Sequence, residues 1–176
     1  MWRLMRSVTG RRVVATLLAA VVALSALWAI GVATPPLPSV LQGDTLGPED
    51  GEENYKQRAD DTLRAADAPA FALVTFDTAL SAHDAAVTVA PARRASALVA
   101  DGGAPIAVGE PLAGQLRDEI FQQATTQPID AVIVYGSGDE LRAVAEQPAV
   151  FAVEVLPSDA VWGAFALTRN VSGGRV

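Results

Sequence analysis

The strongest hydrophobic signal comes early. Residues 13–33, VVATLLAAVVALSALWAIGVA, carry no charge and almost no polar side chain. As a helix rising about 1.5 Å per residue the run would be roughly 32 Å long, enough to cross a hydrocarbon core of about 30 Å. Its ten Val, Leu and Ile side chains each favour insertion by about 0.3 to 0.6 kcal/mol, and no charge opposes them. The pattern predicts one transmembrane helix. Arg3, Arg6, Arg11 and Arg12 precede it, and the next basic residue is Lys56. The positive-inside rule therefore keeps residues 1–12 in the cytoplasm and places the remainder on the other side of the plasma membrane. A cleaved signal peptide ending near Gly31-Val32-Ala33 is the competing reading. The run exceeds the usual 7 to 15 or so apolar residues of a signal, and Trp28 stands where an interfacial anchor belongs.

Beyond the span the patterning breaks up. Residues 34–51 hold four prolines and three glycines with no apolar period, which predicts an extended tether. Residues 52–66 then show a helical stripe of Tyr55, Ala59, Leu63 and Ala66, with Glu52/Lys56 and Asp60/Arg64 as i,i+4 pairs. Residues 71–76, FALVTF, read as a central strand. A helix follows, opened by Ser81 and Asp84 at capping-box spacing and closed by Pro91. Residues 95–100 and 106–108 read as strands around an Asp101-Gly102-Gly103 turn. Residues 115–124 form an amphipathic helix with Leu116, Ile120, Phe121 and Ala124 on its apolar side. Residues 129–135 are a strand, Gly136-Ser137-Gly138 a turn, and Ser137 with Glu140 a second capping box ahead of Leu141, Ala143 and Val144. In the closing strand, 150–155, Phe151, Val153 and Val155 alternate with Ala152 and Glu154, which predicts one buried face and another that is open or at an edge. Residues 162–167 add a short strand or packed tail, and the chain end frays.

That order predicts an α+β domain over residues 68–168, a ferredoxin-like split βαβ sheet with an inserted helix, behind one transmembrane helix. The two most apolar strands, 71–76 and 129–135, form its central pair. Both faces of the second are apolar, Ile129, Ala131, Ile133 and Tyr135 on one side and Val132 and Val134 on the other. Helices cover one face of a two-layer sheet. The other face has only the 52–66 helix and the segment with Ile120 and Phe121 to hide it, so Val132 and Val134 are expected to be partly exposed as an interaction surface.

Charge divides at the span. After residue 33 the chain has nine Lys and Arg against twenty Asp and Glu, so 9 − 20 = −11. An acidic exported part argues against nucleic acid and anionic headgroups as partners. The chain has no cysteine, which removes disulfides, a lipid-modified cysteine anchor and thiolate metal sites. Ser81, His83 and Asp84 are catalytic residue types, but neighbours at a helix start diverge in direction, whereas a triad draws its members from separate elements. A hydrolase would have to rely on carboxylates such as Asp77 or Asp84, and two of them buried in one cleft would favour it. The Gly136-x-Gly138 turn has the look of a phosphate cradle, yet Asp139 and Glu140 put negative charge where an anion would sit. Asn170-Val171-Ser172 matches a glycosylation sequon, a tripeptide common by chance. No cofactor or metal motif is present.

Two stretches, FALVTF and the block with Leu141, Gln147-Pro148-Ala149-Val150 and Val153-Glu154, resemble the inhibitor-like propeptides of subtilisin-type proteases. That likeness implies the ferredoxin-like fold and, as a function, protease inhibition. The chain departs from it in having no protease domain after the block, a longer middle over 104–128 and Leu156 where an acidic residue is usual. The whole layout, with LGPEDGE in the tether and DAVWGAF near the end, resembles uncharacterised single-span membrane proteins of actinobacteria of the corynebacterial and mycobacterial type. This implies location and no activity. The expected function is therefore a membrane-anchored, non-enzymatic module of the cell envelope that contacts an unknown protein partner, with a carboxylate hydrolase or an inhibitor-like domain as alternatives.

Overall fold

The computed structural model describes residues 45–48 and 51–168, together with Leu18, Val21 and Ser25. The chain divides into two compact units, Met1–Val40 and Leu41–Val176. In the first, Leu18, Val21 and Ser25 are helical and exposed. The rest of the expected span lies outside the described residues, as do most of the tether and the tail with its sequon. Among the described residues no helix is long and apolar enough to cross a membrane.

The second unit is α+β. It runs β1 (Thr45–Leu46), α1 (Glu52–Ala65), β2 (Ala70–Leu80), α2 (Ala82–Thr88), β3 (Arg94–Ala100), β4 (Ile106–Ala107), α3 (Arg117–Ala124), β5 (Ile129–Gly136), α4 (Gly138–Ala145), β6 (Val150–Val155) and β7 (Ala166–Leu167). Five strands form one sheet in the order β4-β3-β5-β2-β6, while β1 and β7 make a separate parallel pair. Every pairing in the large sheet is antiparallel. The crossovers β2-α2-β3 and β5-α4-β6 each skip one strand position, and each gap is filled by a strand of the other. The two runs expected as the central pair, now β2 and β5, are hydrogen-bonded neighbours.

Both predicted caps form. Ser81 Oγ accepts the Asp84 N–H at 3.1 Å and donates to Asp84 Oδ2 at 2.7 Å. Ser137 Oγ accepts the Glu140 N–H at 3.3 Å, and Glu140 Oε2 accepts the Ser137 N–H at 2.7 Å. That bond, helped by Arg93, holds the Glu140 carboxyl below its ordinary range. The turn between them is tight for a packing reason. A side-chain carbon on Gly138 would strike the Ala66 carbonyl oxygen at the end of α1.

The sheet carries two buried layers. On one face Ala72, Val74, Val132, Val134 and Leu98 pack under Ala85 of α2 and Val89 at its C-terminal cap, Phe121 of α3, and Leu141 and Val144 of α4. On the other, Phe71, Leu73, Ala97, Val99, Ala131 and Ile133 lie under Leu46, Leu156, Phe165 and Leu167. Helix α1 packs on β6, with Tyr55 and Ala59 buried against Ala152.

Several expectations are corrected here. Val132 and Val134 are fully buried, 0% exposed, beneath the helices, and so do not form an exposed surface. The register shifts at Asp130, which moves Ile129 onto the helix face with them, away from Ala131 and Ile133. The sheet's second face is covered by the chain's own β1, β7 and the segment before β7, not by the segment of Ile120 and Phe121. Thr45–Leu46, expected within the tether, is part of this cover, with Leu46 only 2% exposed. The closing strand β6 does lie at the edge of the sheet, but its second face is not open, since Ala152 and Glu154 are buried as well. Arg64 pairs with Asp61 at 2.7 Å rather than with Asp60.

Candidate functional site

None of the chemistry-bearing residues singled out from the sequence assembles into a catalytic site. Asp77 and Asp84 are exposed. Glu154 is the one buried carboxylate among the described residues, so no buried pair of carboxylates supports the hydrolase alternative. His83 is exposed, and its Nδ1 lies 3.0 Å from Asp118 Oδ2 across the α2–α3 contact. That hydrogen bond is the main cause of a raised His83 pKa and a lowered Asp118 pKa. Among the described residues no group of His, Asp or Glu is placed to hold a metal ion.

What the fold does build is an aromatic cleft on the sheet face opposite the helices. Phe71 of β2 and Tyr135 of β5 are cross-strand partners with ring centroids 5.0 Å apart. Phe71 also meets Trp162 at 5.6 Å and Phe165 at 5.9 Å, and those two meet each other edge-on at 5.8 Å. Such tilted pairs contribute roughly 0.5–1.5 kcal/mol each beyond the area they bury. The cluster pins the 162–167 segment over the sheet and leaves Trp162 43% exposed at its rim.

Two openings share this indole as a wall. One, of about 540 Å³, lies between the β3–β4 turn and the segment before β7, with Ile133, Phe165 and Leu167 among its walls. The other, of about 430 Å³, is bounded by Arg94, Ser96, Val108, Glu110 and Trp162. Both volumes fall in the range of ligand-binding clefts, roughly 300–1,000 Å³. The first is walled mainly by apolar side chains and glycine.

The second opening holds the polar chemistry. Arg94 lies over two rings, 5.2 Å from the Tyr135 centroid and 5.7 Å from that of Phe71. Ser96 sits at a register irregularity of β3, between Ala95 and Ala97. Its hydroxyl is buried with no hydrogen-bond partner among the described residues. Buried hydroxyls are nearly always satisfied. Glu110 is engaged inside the fold, its Oε1 accepting the Ala95 N–H at 2.9 Å.

Sequence reading missed this cleft. Its walls come from β3, β5 and the segment before β7, which are far apart in the chain. The DAVWGAF stretch, with two aromatics among small residues, was the one local signal. The chain matches no protein-family model, and no curated protein or solved structure matches it.

Proposed function

We propose that this chain is a single-pass membrane protein, N-terminus cytoplasmic, which displays a non-enzymatic protein-interaction domain outside the cell within the envelope. The strand order β3-β5-β2-β6 with its two interlocked crossovers supports a ferredoxin-like reading of the domain, with β4 and α3 as the insertion. The basic flank and uncharged run of residues 13–33 support the anchor and its orientation. The observation that carries the interaction reading is Trp162, 43% exposed beside an apolar cleft of about 540 Å³. Exposed indoles at the mouth of a cleft are the kind of side chain that dominates protein contacts.

The experiment is a photo-reactive amino acid placed at position 162 of the full chain in its native membrane, with position 146, an exposed site at the end of α4, as control. A single adduct at 162, of one mass and identified by mass spectrometry, is expected. Adducts at neither position, in a chain whose domain is exported, overturn the reading. Export is checked by a reporter fused after Val176 that is active only outside the cytoplasm. The mature N-terminus, read by mass spectrometry, separates anchor from signal peptide, since a start at Thr34 means release.

A further inference from the structure

We propose that the Trp162 cleft takes a free carboxylate borne next to an apolar side chain, and that its occupant is the C-terminal residue of a partner protein. This rests on the cleft being the contact site. The first ground is the state of Arg94. The other arginines of the described residues, Arg58, Arg64, Arg93, Arg117 and Arg142, each lie within 4 Å of a carboxylate. Arg94 alone has none and meets only the faces of Phe71 and Tyr135. In a domain this acidic, a guanidinium without a carboxylate is conspicuous. Stacking uses the plane of the group and leaves its N–H edge free for an acceptor.

The second ground is the Ser96 hydroxyl, two residues along the same strand and lining the same opening. Its residue is 8% exposed and the hydroxyl lacks an acceptor. The hydroxyl is covered from solvent, so it meets a carboxylate received by Arg94 by turning about its own Cα–Cβ bond, and charge-assisted bonds of this kind are the strong ones. The third ground is adjacency. Both openings share Trp162, so anion and apolar group must sit close together in the ligand. A C-terminal residue carries its carboxylate one carbon from its side chain, and chain ends are captured in this manner in known recognition modes. Glu110 beside the opening disfavours polyanions and keeps the site to a single negative charge.

The test uses the full chain in nanodiscs and a fluorescein-labelled octapeptide of Gly and Ser ending in Phe, as free acid and as C-terminal amide. The acid should bind at least about tenfold more tightly than the amide, the loss expected for one charged contact. Arg94→Gln should bring the acid down to the level of the amide, Arg94→Lys should fall between, and Ser96→Ala should weaken the acid alone. Trp162→Ala should abolish both. Arg94 is exposed, so its variants should stay close to the parent melting temperature, whereas Trp162→Ala gives up two ring contacts and is read beside its own melt; should Arg94→Gln fail to fold, Arg94→Lys decides. Equal binding of acid and amide, no binding of either, or an acid preference that survives the loss of Arg94 overturns the proposal. So does dodecanoate binding more tightly than the peptide, which transfers the site to fatty acids. Peptide failure alongside a persisting crosslink at position 162 sinks this inference and leaves the interaction reading standing; loss of both ends both.

Discussion

Glu154 of β6 and Arg58 of α1 form an ion pair, Nε to Oε1 at 2.9 Å, in which the carboxylate is buried and the guanidinium reaches solvent. The pair closes a ring through one peptide: Gly47 N–H donates to Glu154 Oε2 at 2.7 Å, and Arg58 Nη2 donates to the Gly47 carbonyl at 2.7 Å. Gly47 has φ +112, and a side-chain carbon there would strike the Thr168 hydroxyl. One acidic side chain thus ties α1 and β1, and through β1 also β7, to the edge of the sheet.

Arg58→Met should be more damaging than Glu154→Gln. It leaves a buried carboxylate without its cation, for which about 3–5 kcal/mol is typical in a fully buried pair, and roughly 2–3 is expected here because Arg58 is a third exposed. Glu154→Gln keeps an acceptor for Gly47, and Arg58 keeps its bond to the Gly47 carbonyl. Chemical denaturation of both variants against the parent gives the order.

The His83–Asp118 contact makes one surface feature pH-dependent. His83 titrates above its ordinary 6.5 because Asp118 holds its protonated form, and Asp118 titrates below its ordinary 3.8 for the reciprocal reason. The histidine contribution is fully present below pH 6.5 and is lost as pH rises through the raised value. The aspartate contribution is present above pH 3.8 and is lost as pH falls through the lowered value. Parent and His83→Gln should therefore differ most in melting temperature between pH 3.8 and 6.5, and converge as pH rises past the raised histidine value. In NMR titration the single histidine should move back towards 6.5 in Asp118→Asn.

Val134→Asp should unfold the domain. Its side chain is 0% exposed under α2 and α4, and an unpaired charge there costs several kcal/mol. Loss of the cooperative melting transition is the expected result. A native melt would show that this face is open after all.

Gly138→Ala should cost about 1–3 kcal/mol, the range for overpacking a tight contact. The new methyl meets the Ala66 carbonyl, so α1 and α4 must part, and Arg142 Nη1 must give up its bonds to the Leu63 and Ala66 carbonyls at 3.3 and 3.1 Å. Ala143→Gly on the same helix costs only its helical propensity, about 1 kcal/mol. Comparing the two melts separates clash from propensity.

Much of the fold was legible because local rules wrote it. Continuous apolar runs bounded by Pro, Gly and Asp marked β2 and β5. Ser81 and Ser137 marked two helix starts, where a side-chain oxygen three residues ahead of a free N–H has little choice but to cap it. Strand ends were less legible, since β2 continues through exposed Asp77, Thr78 and Ala79 to Leu80 by a register shift that hydrophobic spacing does not display.

The cleft was illegible for a different reason. Phe71, Arg94, Tyr135 and Trp162 are unremarkable singly; strand pairing brings the first three together and ring packing adds Trp162. Alternation along β5 correctly separates Val132 and Val134 from Ala131 and Ile133. It cannot say which set meets helices, because both are equally apolar and either parity would bury a comparable area.

By itself, then, the order of residues determined the elements from α1 to β6, the order in which they occur, their serine caps and the acidic balance of everything after residue 33, all of which depend on neighbours within a few positions or on a simple sum. The tertiary structure decided the parity of β5, the burial of Glu154, the capture of Thr45–Leu46 by β7 and the opening beside Trp162. These depend on which distant segments compete for the same apolar surface, and that competition is settled by packing in three dimensions, where a two-residue strand or one buried carboxylate outweighs any periodicity.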